Sequence, residues 1–232
     1  DHFKRWYLLP MGGCIWSTPV EKMLSFPAHS FLRFCINHGL LQVTDRPQWK
    51  SLVGGCRTYV EKALSYVEKK FLNEPVEKVM PYGEKVLVKT MNREEEYDAC
   101  FFCSHPPETL KMLSDVDEEL RDTLSQFSYQ SNRAVLHWDR EILPKERFWS
   151  AWNYRSSLRS DEHNEQAQRV SVTYLINKLQ KLPVDSPVLV TLNPVSEIDP
   201  KKIWKEIQYE HPVFDADAVR AQGLLMPLQG RD

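Results

Sequence analysis

Glycine is scarce in this chain. The 232 residues include only 8 glycines, and none of them forms the spacing G-x-G-x-x-G. That spacing builds the turn in which backbone amides and a helix N-terminus bind the pyrophosphate of a dinucleotide. These residues therefore lack the main phosphate anchor of a dinucleotide-binding domain. The pair Gly54-Gly55, which precedes an amphipathic pattern, is too short for that fingerprint and favours a tight turn.

An excess of basic charge is also missing. Lys and Arg number 30 against 32 Asp and Glu, which gives a net charge of -2. The basic residues are scattered, so the sequence argues against a nucleic-acid partner. Charge or proline interrupts every apolar run, and we expect no transmembrane segment. The opening residues, from Asp1 to Trp6, do not resemble a signal peptide, and we expect the start to be internal to something longer.

Cysteine usage excludes a disulfide scaffold. Five cysteines make an odd number without the dense spacing of small secreted domains. This pattern predicts an intracellular protein, most simply cytoplasmic, with an organelle as the open alternative. Cys100 and Cys103 stand three apart in an apolar run that we interpret as a strand. They would then point to opposite faces, and zinc would need two further ligands, so we predict no metal site.

The first half of the chain alternates between helical and strand patterns. Residues 1–50 indicate helices joined by irregular turns. From Arg57 to Phe71, apolar residues recur at three-and-four spacing, which predicts a helix packed on a sheet. Val76–Met80 and Lys85–Met91 predict a hairpin, because proline and glycine separate them. Ala99–Cys103 is apolar throughout, as in a strand covered on both faces.

The second half indicates a sheet with helical cover. Helices are predicted around 108–113 and 116–127. Arg155–Gln168 is polar and is predicted to be a surface loop. Strand candidates are 134–138, 148–154, 170–177 and 188–192. Because helical and strand-rich blocks alternate without a linker, we expect domains that are interleaved in sequence.

Several segments carry a family resemblance. The middle of the chain resembles flavin-dependent amine oxidases and the protoporphyrinogen oxidase superfamily; the segments are Val53–Val60, Pro75–Val79, Val86–Val88 and Tyr97–Cys103, followed by His105-Pro106-Pro107. Further segments resemble bacterial predicted FAD-binding oxidoreductases and the flavoprotein-like N-terminal part of plant cyclopropane fatty-acid synthases; they are Leu8–Gly12, Ile15–Pro19, Asn37–Leu41, Pro47–Trp49, Trp152–Tyr154, Val172–Tyr174, Thr191–Pro194 and Tyr209–Asp215.

The resemblance implies an α+β fold that is a fragment of an α/β-type flavoprotein. Residues 1–50 would be the helical part of a substrate domain. Residues 51–104 would form part of a Rossmann-like FAD-binding domain, namely a helix, a β-meander and a core strand. Residues 105–232 would be a mixed-sheet substrate domain with helical cover. The phosphate-binding turn would lie in further FAD-domain segments of the same polypeptide.

The resemblance also implies a function. The complete protein would be an FAD-dependent oxidoreductase that transfers a hydride equivalent from an amine or an apolar, acyl-lipid-type substrate to the flavin. This fragment alone would be inactive. The alternative is a non-catalytic binding or assembly module that keeps the substrate-domain fold without bound FAD.

Candidate site residues follow from the same resemblance. Val76 resembles the valine whose backbone faces the adenine, and Gly54 and Gly55 are further cofactor candidates. Arg133 stands where amine oxidases have a flavin-facing lysine, which departs from the usual oxidase pattern. Its guanidinium would stabilise a reduced flavin or hold an anionic substrate group, or would be a salt-bridged surface group. His137 shares the strand face of Arg133 and is either an acid–base group or a structural histidine.

A set of aromatic and amide side chains is predicted to line a substrate pocket. Aromatic walls with a few amides and hydroxyls suit a flat cofactor ring and a mainly apolar ligand. Each aromatic residue is equally typical of a strand core. The set is Trp16, Trp152, Asn153, Tyr154, Tyr174 and Asn177.

Overall fold

The fold combines short helices with two antiparallel sheets. The structure is a computed structural model that describes residues 2–156 and 170–230. The predicted α+β class is confirmed. Of the described helices, none is long and apolar enough to cross a membrane. The α-helices are α1 (Leu9–Trp16), α2 (Ala28–Asn37), α3 (Arg57–Leu64), α4 (Pro106–Met112), α5 (Glu118–Ser125), α6 (Ile176–Leu179) and α7 (Ala216–Leu225).

The strands divide between the two sheets. A three-stranded sheet has the order β1-β2-β3, and a five-stranded sheet has the order β5-β6-β7-β4-β8. The strands are β1 (Val76–Tyr82), β2 (Lys85–Thr90), β3 (Glu94–Tyr97), β4 (Tyr129–His137), β5 (Trp152–Ser156), β6 (Val170–Leu175), β7 (Leu189–Leu192) and β8 (Ile203–Pro212). Most of the loop predicted at Arg155–Gln168 lies outside the described residues, and its first two residues end β5.

The chain forms two compact units, each built from separate stretches. Unit 1 comprises residues 1–59 and 129–213, and unit 2 comprises residues 60–128 and 214–232. The assignment of residues 1–50, 51–104 and 105–232 to substrate and cofactor domains stays a prediction.

Unit 1 contains the five-stranded sheet. Its described strand pairs are all antiparallel, so the mixed sheet that we predicted is wrong in this detail. The physical reason lies in the connections. A parallel crossover must carry the chain back along the sheet, usually in a helix, whereas the helix between the adjacent strands β6 and β7, α6, has only four residues.

Two buried clusters stabilise unit 1. Leu143, Leu175 and Leu189 pack together on the sheet, with Trp149 against them. Among the N-terminal helices, the Trp16 ring lies 4.6 Å from Phe26 and 4.8 Å from Phe34, centroid to centroid. These offset and tilted aromatic contacts are favourable beyond simple burial. Residues 2–37 are therefore largely helical, as predicted, whereas residues 41–50 are exposed and contain no helix.

Replacing Gly13 by alanine is expected to destabilise unit 1. A Cβ at Gly13 would meet the Thr18 carbonyl oxygen at 2.8 Å, and that oxygen belongs to backbone that cannot rotate away. We expect Gly13→Ala to cost about 1–3 kcal/mol, as for other overpacked sites. Gly223→Ala is the control, because nothing lies within 4 Å of its Cβ, and alanine favours a helix interior. Urea unfolding followed by circular dichroism measures both; equal effects would contradict this packing.

Unit 2 contains the predicted hairpin. β1 pairs with β2 from Val76↔Thr90 to Tyr82↔Lys85, and β2 pairs with β3. Gly83 adopts a φ of 62° at the reversal, a conformation that glycine tolerates without a steric penalty. The hairpin prediction is confirmed. The third strand extends it into a meander.

Two expectations for unit 2 are wrong. The helix predicted over Arg57–Phe71 ends at Leu64, and α3 has no buried residue. The run Ala99–Cys103 is not a strand, and the Phe101 side chain is 90% exposed. An apolar run becomes a central strand only where neighbouring strands supply hydrogen-bond partners and a second layer covers its side chains. The described residues give Ala99–Cys103 neither a neighbouring strand nor a covering layer.

Candidate functional site

A cavity of about 340 Å³ lies on the meander of unit 2. Val76 and Val88 form part of its wall, and Val76 is the residue predicted to face an adenine. The other lining residues are Phe71, Glu74, Thr90, Arg93, Glu95, Tyr97, Ala99, Cys100 and Phe101. A hollow of this size, mainly apolar with a few polar groups, has the general character of a small-molecule site.

Arg93 organises the polar edge of this cavity. Its guanidinium lies 2.5 Å from Glu74 and 3.5 Å from Glu95. The guanidinium carbon also lies 3.1 Å from the centroid of the Phe71 ring, a cation–π arrangement. Thr90 donates its hydroxyl to Glu74 at 2.7 Å. These contacts hold the side chains of Arg93, Glu74 and Glu95 in place at the edge of the cavity.

Tyr97 and Glu95 form a second polar pair at the cavity. The Tyr97 hydroxyl donates to Glu95 Oε2 at 2.7 Å. This hydrogen bond lowers the pKa of Glu95 and raises the pKa of Tyr97. Glu95 is therefore a carboxylate acceptor at neutral pH. Together with Arg93, it presents an ionic edge beside aromatic and aliphatic walls.

Gly54 and Gly55 form a turn before α3. Their φ values are 82° and 79°, and the Gly55 amide donates to the Leu52 carbonyl at 3.1 Å. Thr58 donates both its amide and its hydroxyl to the Gly55 carbonyl, at 3.3 and 2.8 Å. The left-handed backbone explains why glycine occupies both positions. Their cofactor-binding role stays a prediction.

Arg133 lies on β4 of unit 1 and pairs with the neighbouring strand. Its Nε donates to Glu206 Oε2 at 3.0 Å, and its second nitrogen donates to Glu206 Oε1 at 2.6 Å. The bidentate hydrogen bond raises the pKa of Arg133 and lowers that of Glu206. Both side chains are about half exposed. The structure thus places Arg133 in the salt-bridged arrangement that the sequence left as one alternative.

His137 is completely buried on β4. The backbone amide of Asp139 donates to Nδ1 at 3.1 Å, and Nε2 lies 2.7 Å from the Thr191 hydroxyl. Because Nδ1 accepts a hydrogen bond, the neutral ring carries its proton on Nε2 and donates it to Thr191. Burial lowers the pKa of His137, and the nearby Asp139 opposes that shift only in part. His137 is therefore uncharged at neutral pH.

The sequence analysis did not predict Asp139, whose side chain joins its own turn to the turn at Asp199–Lys202. It accepts hydrogen bonds from Lys202 Nζ at 2.8 Å and from the amides of Asp199 and Glu141 at 3.0 and 3.3 Å. Burial would raise the pKa of Asp139, but these bonds together lower it. The carboxylate is 4% exposed. No motif in the sequence signals this group.

The structure brings together three of the six predicted substrate residues. Trp152 and Tyr174 pair across β5 and β6, with their rings 5.3 Å apart in an edge-on contact. Tyr154 shares the strand face of Trp152, as period two predicts. Burial raises the pKa of Tyr154 and Tyr174, and the Cys14 thiol on α1 adds to both shifts. The side chains of Trp152, Tyr154 and Tyr174 therefore lie on one face of the sheet.

The other predicted members have local structural contacts. Trp16 belongs to the N-terminal aromatic cluster. Asn153 donates to the carbonyls of Ser150 and Thr173, at 2.6 and 3.3 Å. Asn177 accepts from the Val188 amide at 2.8 Å and donates to two carbonyls of the same loop. Their substrate role stays a prediction.

Comparisons with known proteins show a distant similarity to a solved structure. No family model matches the chain, and no curated protein matches it. Among solved structures, the chain is similar to a CLA-producing fatty acid isomerase from P. acnes, with 16% sequence identity and a TM-score of 0.49. The match covers 76% of this chain and 45% of that protein. The chain thus spans less than half of the isomerase's length.

Proposed function

We propose that this chain is part of an FAD-dependent oxidoreductase and forms the substrate domain together with one wall of the FAD site. The observation that carries the proposal is the cavity at Val76, the residue that the family resemblance assigns to the adenine. Apolar walls beside fixed carboxylates suit a nucleoside, because the ring needs an apolar surface and the sugar hydroxyls need acceptors.

The residues of unit 2 fit the adenosine end of FAD. Val76 and Val88 would contact the base, and Glu95 would accept from a hydroxyl or amino group at the ionic edge. The bound flavin would supply the hydride acceptor. Gly54 and Gly55 do not replace the missing phosphate turn, because two glycines give no G-x-G-x-x-G loop.

The uncovered apolar side chains of unit 2 support a larger cofactor domain. Val60, Leu64, Val67 and Phe71 are each at least 40% exposed, and Phe101 is 90% exposed. A patch of this kind on a folded protein typically marks an interaction surface. In this proposal, further FAD-domain segments of the same polypeptide cover it.

Unit 1 would supply the substrate wall. Trp152, Tyr154 and Tyr174 would offer an apolar face to an amine or an acyl-lipid-type substrate. Arg133 would not act as the family lysine does, because its guanidinium is held by Glu206 and cannot serve as a neutral base.

The absent phosphate turn favours a second candidate, a non-catalytic binding or assembly module without FAD. The two proposals differ in a simple observable. A flavin enzyme carries the turn elsewhere in its complete reading frame and purifies with flavin absorbance, whereas the module does neither.

Filling the cavity tests the flavin proposal. Ala99 lines the cavity and is exposed, so Ala99→Trp should occupy the space without disturbing a core. In the protein from the complete reading frame, we expect FAD affinity to fall at least about tenfold, equivalent to about 1.4 kcal/mol. Titration of the apoprotein with FAD, followed by flavin fluorescence, measures this.

Met91→Trp is the matched control, because Met91 is 81% exposed on the same meander and does not line the cavity. We expect its FAD affinity to equal that of the unmodified protein. Equal affinities for both variants would reject the cavity as the adenosine site. A complete protein that binds no flavin would favour the module.

A further inference from the structure

In unit 1, the connection between β4 and β5 begins with a turn that is hydrogen-bonded to His137. The stretch from Trp138 to Ala151 joins β4 to β5 and carries Leu143 and Trp149 onto the buried leucine cluster. Its first turn is closed by the Asp139 amide, which donates to His137 Nδ1 at 3.1 Å. The Asp139 carboxylate then holds the amides of Glu141 and Asp199.

The ring of His137 has no spare acceptor. Nδ1 accepts from Asp139, and Nε2 donates to Thr191, which in turn is hydrogen-bonded to Thr173 at 2.9 Å. A second proton on the ring must therefore go to Nδ1. This Nδ1 proton would face the Asp139 N–H. The hydrogen bond from Asp139 to His137, which closes the turn, would then break.

The charged groups around His137 do not compensate for such a proton. Asp139 is the charged group that acts on the ring, and its oxygens already accept from Lys202 and two amides. Glu141 lies in the same turn and contributes through its backbone amide. Strands β6 and β7 present the hydroxyls of Thr173 and Thr191. The described contact at Nδ1 is the Asp139 N–H, so an imidazolium here would be buried with a donor, not an acceptor, at that nitrogen.

We propose that His137 is a pH-sensitive latch: its protonation at Nδ1 opens the turn at Asp139–Glu141, at the start of the Trp138–Ala151 connection, at acidic pH, while β4 stays paired with β7 and β8. The latch itself does not depend on the proposed flavin function.

The direction of the pH effect follows from burial. Burial lowers the folded-state pKa of His137 below its ordinary value of about 6.5. The latch therefore stabilises the closed turn fully above about pH 6.5 and is lost as the pH falls through the lowered folded-state pKa.

Hydrogen exchange of individual amides tests the latch. Between about pH 7 and about pH 5, and after correction for intrinsic exchange, we expect protection of the Asp139 and Glu141 amides to fall at least about tenfold. Amides of β4 between Arg133 and Leu136 should keep their protection. Unchanged protection at Asp139, or an equal loss throughout β4, would overturn the proposal.

Two variants separate the latch from general acid sensitivity. In His137→Asn, the side-chain oxygen can accept from the Asp139 amide and cannot be protonated, so the pH response should disappear. His211→Asn is the control, because His211 lies in the same unit and contacts the Trp16 carbonyl through Nδ1 at 2.8 Å. It should keep the response at Asp139.

A measurement on the unmodified protein covers the case in which His137→Asn does not fold. Nitrogen NMR of the His137 ring at neutral pH should show the proton on Nε2, with Nδ1 unprotonated. A proton on Nδ1 at neutral pH, or a ring that protonates without any loss of protection at Asp139, would reject the latch.

Discussion

Leu189→Ala is expected to lower the free energy of unfolding by about 3 kcal/mol, within the range of 2–5 kcal/mol for large-to-small core substitutions. Leu189 is fully buried and packs with Leu143 and Leu175. The loss combines the hydrophobic transfer of the removed atoms with the cavity that they leave. Urea unfolding, followed by far-ultraviolet circular dichroism, measures the change.

Leu179→Ala provides the matched control for this truncation. Leu179 lies in α6 of the same unit and is 36% exposed, so its removal should cost less than about 1 kcal/mol. Similar losses for the two variants would mean that the leucine cluster is not the core of unit 1.

Asp139→Ala is expected to destabilise unit 1 by about 2–3 kcal/mol, since Asp139 is buried and a buried polar group that loses its hydrogen-bond partner costs about 1–3 kcal/mol. The substitution leaves Lys202 without its carboxylate and the amides of Asp199 and Glu141 without their acceptor. Asp139→Asn should lose less, because its amide oxygen still accepts one backbone hydrogen bond. The measurement is again the midpoint and slope of urea unfolding.

The pH dependence of this loss has a definite sign. The folded-state pKa of Asp139 is lowered, so the charged form stabilises the fold fully above the unfolded value of about 3.9. That contribution disappears as the pH falls through the folded-state pKa. The stability difference between the unmodified protein and Asp139→Asn should therefore shrink below about pH 4.

Asp217→Ala is the control for the ion pair. Like Asp139, Asp217 forms a salt bridge with a basic side chain, that of Arg220, but both side chains of this pair are at least 60% exposed. Exposed pairs contribute little because solvent screens them. A loss for Asp217→Ala as large as that for Asp139→Ala would show that burial does not set the size of the effect.

Local chemistry explains which elements the sequence predicted well. The hairpin between Val76 and Met91 was predicted from the proline and glycine of its reversal, and Gly83 indeed adopts a positive φ there. Strand candidates around 134–138, 170–177 and 188–192 correspond to β4, β6 and β7. Each signal depends on neighbours within a few residues, which is the range that periodicity and turn chemistry report.

Elements whose formation depends on distant partners were predicted poorly. The ten-residue strand β8 was missed, because its charged residues obscure the alternation and it is an exposed strand at the sheet edge. The strand predicted at Ala99–Cys103 does not form. Its apolar composition suggested a strand, but the described residues place no neighbouring strand beside it.

The sequence by itself determined the class of the fold, the meander and the shared strand face of Arg133 and His137, because side-chain direction follows the period of two. Only the tertiary structure decided the environment of those side chains. Thr191 is 54 residues from His137 and Glu206 is 73 residues from Arg133. Strand register brings such groups together, and register is set by the packing of the whole sheet rather than by any local pattern.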